Sequence, residues 1–204
     1  MLSGRYLHFS SIILDVINGL KMRKILLLLV LGVSFTLQAQ YAIEPSKDYS
    51  HDIGNMVVML DNLKARIEYL VKDINQEQTD FLIDDNANRI GAIIYHLVAT
   101  EAYYQAYTFE KRKFNKDERE KWEVALNLGQ EGRDKLQGKP IKYYLNIFDD
   151  VRTKTKEKLK DKDDVWFAED NGGMTNHFAW FHVMEHQANH MGQLAFLTKR
   201  MPKK

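Results

Sequence analysis

Residues 49–74 read YSHDIGNMVVMLDNLKARIEYLVKDI. Ile53, Met56, Val57, Leu60, Leu63, Ile67, Leu70, Val71 and Ile74 recur at steps of three and four. That spacing lines one face of a 3.6-residue helix and leaves the other face to polar side chains. Asp48 and Ser50 are candidate N-caps. The pattern stops in the polar run from Asn75 to Thr79, and a loop is expected through Asp84, Asp85 and Asn86.

Three more stripes of the same kind follow. Ile90, Ile93, Ile94, Leu97, Val98 and Tyr104 predict a second helix beginning near Asn88 and fading at Glu110. A charged, glycine-containing stretch runs to Lys139, with a short helix expected around Asp117–Leu128. Pro140 suits a first helical turn, and Ile141, Tyr144, Leu145, Phe148, Val151, Thr155 and Leu159 give a third stripe. After a loop over residues 161–173, a fourth helix runs from about Thr175 to Met201, ahead of Pro202. Four amphipathic helices of about 20 residues predict an all-α, four-helix bundle in one domain. The link between the second and third helices is long enough to let them run parallel.

Composition agrees and excludes other classes. The 204 residues hold only 3 Pro and 11 Gly, few turn formers for a β-rich fold. Lys and Arg number 29 against 28 Asp and Glu, a net of +1, which argues against a partner held through nucleic-acid phosphates. Cysteine is absent, so disulfides, thiolate metal sites and a cysteine nucleophile are excluded together.

The first forty residues read as a leader. Arg23 and Lys24 precede an apolar core of about 13 residues, Ile25–Leu37, and Gln38-Ala39-Gln40 offers a small residue for cleavage. A membrane span needs about 20 apolar residues, so residues 1–40 are expected to be a signal peptide and 41–204 the mature domain, with no stable anchor after cleavage. Met22 is a candidate true start, which would make residues 1–21 an upstream extension. Export to the periplasm or the medium is the expected location. Without Arg5, Lys21, Arg23, Lys24 and Asp15, 25 basic and 27 acidic residues remain, a net of −2.

Three of the seven histidines follow one another at steps of four in the fourth helix, beyond His177 at its start: His182, His186 and His190. Steps of four keep neighbours on one face, about 6 Å apart along the axis. One ion can bridge an adjacent pair but not the outer two, about 12 Å apart. His96 lies among the stripe residues Ile93, Ile94 and Leu97 and is expected to face inward as a third ligand. His182 reads as a neighbour, and His51 and His177 as surface or cap residues. Gln187 stands where a zinc peptidase carries glutamate after its first histidine; an amide cannot take a proton from water, so that chemistry is excluded.

The stretches NRIG (88–91) and HLVATEAYY (96–104), followed by HQANHMGQ (186–193), resemble the second-helix and last-helix motifs of the DinB-like superfamily. The resemblance runs from about Tyr49 to Pro202. It implies a four-helix bundle in up-down-down-up order and a divalent metal, zinc or nickel, held by His96, His186 and His190. Relatives include thiol transferases that use bacillithiol or mycothiol, and a mycothiol-dependent maleylpyruvate isomerase. An exported copy departs from the cytosolic setting of such thiols.

Glu101 is a candidate to orient a ligand histidine or to make an interhelical contact, and Gln193 to hydrogen-bond near the site, with plain bundle contacts as the alternative for both. Tyr103, Tyr104 and Trp180 are candidates for a pocket mouth, with core packing as the plain alternative. Three readings remain open: a metal-dependent transferase or hydrolase acting on a small molecule; a metal-binding or stress-related envelope protein without turnover; and a bundle with a vestigial histidine cluster. A homodimer is compatible with each.

Overall fold

A computed structural model describes residues 42–203, and every regular element among them is helical. The leader, residues 1–40, lies outside the described residues. The stripe of residues 49–74 folds as α1, His51–Val71, with Ile53, Met56, Val57, Leu60, Ile67 and Val71 buried. The second and third stripes form α3, Ile90–Glu110, and α6, Ile141–Lys160; the last forms α8, Asn176–Thr198. The expected helix in the long link is α4, Lys116–Asn127, joined at Leu128 to α5, Gly129–Lys135. Two short helices occupy expected loops: α2, Gln76–Thr79, and α7, Asp164–Ala168. Both carry cap chemistry. Asn75 and Gln78 form a reciprocal capping box, and Asp163 accepts from the Trp166 amide. No helix among the described residues is long and apolar enough to cross a membrane.

The start of α1 is completed from far along the chain. Ser50 is its N-cap by backbone geometry, yet its side chain does not cap the helix. Its hydroxyl instead donates to Asp164 at 2.6 Å, and the same carboxylate accepts from the amides of Asp52 and Ile53 at 3.0 and 3.4 Å. A carboxylate facing free amides at a helix start is favourable. Although desolvation pushes its pKa upward, these hydrogen bonds hold Asp164 below the usual carboxylate range.

The contacts between long helices have a consistent order. Gly91 and Tyr95 of α3 meet Tyr144 of α6; further on, Glu101 meets Arg152 and Thr155, and Glu110 meets Lys158. Early residues meet early, and late meet late. Between α3 and α8 the order inverts: Phe109 meets Trp180, Tyr104 meets His182, Glu101 meets Gln187, and His96 meets His186. Two apolar clusters fill the interior. One joins Ile53 and Leu60 to Trp180 and Val183; the other joins Ile67 and Val71 to Ile93, Leu97, Phe148 and Leu194.

Gly91 shows how closely α3 and α6 approach. A Cβ there would lie 2.5 Å from the Tyr144 ring and 3.0 Å from Thr79 Cγ2. Tyr144 is 1% exposed, so the ring has nowhere to go. Overpacking a filled core costs about 1–3 kcal/mol. Gly91→Ala is expected to lower the unfolding free energy by that amount, read as a lower urea midpoint at an unchanged m-value, even though alanine is the better helix former.

Candidate metal centre

His96 projects from the middle of α3, and His186 and His190 from successive turns of α8. His186 Nε2 lies 3.1 Å from His96 Nε2 and 3.1 Å from His190 Nε2. The three rings sit 4.6–5.0 Å apart between centroids and cross at 73–89°, so their edges converge. All three nitrogens fall within 4.8 Å of one another.

The surrounding hydrogen bonds set which nitrogen carries the proton. His96 Nδ1 lies 2.9 Å from the Ala125 carbonyl, which can only accept; Nδ1 is therefore the donor and Nε2 keeps its lone pair. His190 Nδ1 faces Gln193 Oε1 at 3.0 Å, and the amide's NH2 end turns to Asn189 Oδ1 at 3.5 Å. The lone pair of His190 Nε2 is thus also free. His186 Nδ1 is buried without a partner. Two lone pairs consequently point at His186 Nε2, which can donate to only one of them.

This arrangement fits a divalent ion. Nitrogens bound at about 2.0–2.1 Å to one tetrahedral ion stand about 3.3 Å from each other, close to the observed 3.1 Å. Burial favours the neutral, ligating form at all three. It lowers the pKa of His96 against the opposing hydrogen bond to Ala125. At His190, burial and the neighbouring His96 outweigh the bond to Gln193. At His186, burial and then His190, His96 and His182 bring the value down to about 3.

The other candidates fall in distinct places. Gln193 is bonded to His190 as described. Glu101 is fully buried and bonds none of the three histidines; it pairs with Arg152 through two bonds of 2.9 and 2.8 Å. Thr155 donates to the same carboxylate at 2.8 Å, as does Gln187 Nε2 at 3.0 Å. Gln187 also accepts from Arg152 at 3.1 Å. The residue between the two α8 ligands therefore turns inward and closes a network rather than facing the centre. Burial works against the Arg152 charge, but Glu101 and Asp61 hold its pKa above the ordinary value. His182 bonds Glu185 and stacks on His186 at 5.7 Å, beside Tyr104. His51 is exposed against Asp52, and His177 stacks on Phe167. Trp180 is core, whereas Tyr103 and Tyr104 are half-buried.

Sequence reasoning overlooked Arg152 and the Ala125 carbonyl. Arg152 stands one turn after Phe148 and beside Val151 in the third stripe, and a charge on an apolar face was the available signal. No sequence signal marks a backbone acceptor.

A family profile described as Mycothiol-S-transferase matches residues 55–201, from the first turns of α1 past the end of α8. The chain belongs to the mycothiol S-transferase family. This is a DinB/YfiT-like family, as the motifs around His96 and His186 implied. No curated protein matches the chain. The matched span carries all three histidines, and the family makes a thiol-transferase-like, metal-dependent function the coarse expectation.

Two outcomes follow from the site's electrostatics. Arg152→Met leaves Glu101 buried and unpaired, a loss of about 3–5 kcal/mol; adding Glu101→Met should restore most of it in denaturant melts. After chelation, the three histidines are neutral in the fold but titrate near 6.5 when unfolded. Their contribution is intact above about pH 6.5 and is lost as pH falls towards the depressed folded values. Melting temperature should therefore drop from pH 7 to pH 5, and drop less in His186→Leu.

Proposed function

We propose that this member of the mycothiol S-transferase family is an exported protein that holds zinc or nickel through Nε2 of His96, His186 and His190. On this reading it transfers a thiol to a small electrophilic substrate, within a bundle of up-down-down-up order. The observation that carries the reading is the convergence of three neutral imidazole edges from two helices, two with their Nδ1 protons already placed. The order of contacts, early with early between α3 and α6 and inverted between α3 and α8, supports the topology. The basic pair, apolar core and Ala39 of residues 23–40 support export.

A divalent ion held by these three neutral ligands would supply a Lewis acid able to lower the pKa of a thiol or a water. The chain's own residues do the rest. Ala125 and Gln193 fix the tautomers of two ligands, and the Glu101 network fixes the rotation of α8. Thiol transfer is favoured over hydrolysis by the placement of the acids. Glu101 is committed to Arg152 and Glu185 to His182, and no carboxylate among the described residues hydrogen-bonds a ligand histidine. A thiol, with an ordinary pKa near 8.5, needs less help from a general base than water does.

Elemental analysis of the purified mature protein tests the reading. Wild type should carry about one zinc or nickel per chain. His186→Ala should lose it with the helical content retained, and His182→Ala should keep it. Equal metal in wild type and His186→Ala would refute the assignment. For a catalytic centre, His186→Ala also abolishes conjugation of thiols to an electrophile.

A further inference from the structure

Gly192 lies inside the 23-residue helix α8, one residue before Gln193. Glycine in a helix interior costs about 1 kcal/mol relative to alanine. At Gly91 a packed ring explains that cost, but at Gly192 it does not: a Cβ there would meet nothing within 4 Å, and the backbone is not in the left-handed region. What the glycine provides is open space.

Gly192 borders one groove between α8 and α1 and lines another, of about 510 Å³, between α8, the start of α3 and the loop before it. The size lies in the range of small-molecule sites, about 300–1,000 Å³. Its lining is apolar at Ile83, Ile93 and Phe196 and amide at Asn88, Asn189 and Gln193, with no charged side chain. Gln193 is the residue that accepts from His190 Nδ1, so the groove reaches the histidine centre through that side chain, while none of the three histidines lines it directly. Asn88 Oδ1 is buried without a hydrogen-bond partner. An unsatisfied acceptor costs about 1–3 kcal/mol, and a ligand N–H or O–H would relieve it.

We propose that the groove edged by Gly192 is the ligand subsite of the histidine centre and takes an uncharged amphipathic molecule. Such a molecule offers N–H or O–H donors to Asn88 and apolar surface to Ile83, Ile93 and Phe196. The assignment rests on the metal-centre reading above, from which it takes the role of the site. The competing class is an anion, because the Arg200 guanidinium stacks 4.4 Å over the Phe196 ring at the groove's edge.

The test compares two thiols of similar size, neutral pantetheine and anionic glutathione. Each is titrated into ¹⁵N-labelled protein after chelation, so that the groove is read without metal. Pantetheine should shift the signals of Asn88, Gly192 and Gln193 and bind more tightly than glutathione. Gly192→Leu should weaken pantetheine at least tenfold while melting at or above the wild-type temperature and keeping its zinc. Asn88→Leu should weaken it about tenfold, the worth of one buried hydrogen bond. Wild-type affinity in Gly192→Leu, shifts confined to other surfaces, or tighter glutathione would each overturn the proposal. Failure of the metal reading would appear separately, as wild-type protein without stoichiometric metal, and the titration would still decide the groove.

Discussion

A single buried ion pair governs how these helices face one another. Glu101 and Arg152 are both almost fully out of water, and the polar groups around them are committed: the Thr155 hydroxyl and the Gln187 NH2 donate to the carboxylate, and the Gln187 carbonyl accepts from the guanidinium. Desolvating two charges costs several kcal/mol each, so the pair is tolerable only with this complete set of partners. Asp61 adds a contact from α1 at 3.3 Å, and the network thereby touches all four long helices. It lies between the two apolar clusters, where a plain hydrophobic layer would have allowed α8 to slide or rotate. Gln187 fixes that rotation. With its side chain drawn inward, His186 and His190 are turned towards His96.

The histidine centre is consequently prepared unevenly. His96 and His190 are each anchored at Nδ1, one by a helix backbone and one by a side chain of its own helix. His186, between them, has no anchor at Nδ1 and experiences the largest downward pull on its pKa. Its neutrality is imposed by burial and by its neighbours rather than by a hydrogen-bond partner. A site built this way holds protons poorly, which is the discrimination a metal ligand set requires at neutral pH.

The helices were legible because each long one carries an uninterrupted stripe, and stripes report burial directly. His96 was legible for the same reason, as a polar residue embedded among Ile93, Ile94 and Leu97. The short helices α2 and α7 were not, since four or five residues are too few to show a period, although the Asn75–Gln78 capping pair was visible in principle. Glu101 was legible as a residue that orients a histidine or bridges helices; the second holds, but helical angles alone do not reveal Arg152 as the partner across the interface. Gln187 was judged by the motif it interrupts, and its actual role depends on a carboxylate 86 positions earlier. Groove and orphaned acceptor alike arise from the loop before α3, whose path no periodicity encodes.

The carboxylate of Asp164 at the head of α1 has a consequence for how the molecule is made. On the ribosome, α1 emerges first among the described helices, yet the group that completes its first turn lies 112 positions later, and its packing partner α8 emerges last. The first turns of α1, with Ile53 and Leu60, stay uncovered until α7 and α8 have been made, whereas Ile67 and Val71 can already pack on α3. Loop closure over such distances is slow compared with local helix formation. Docking of those first turns is therefore a late step of folding, and a chain halted before α7 leaves them exposed to whatever chaperone is near.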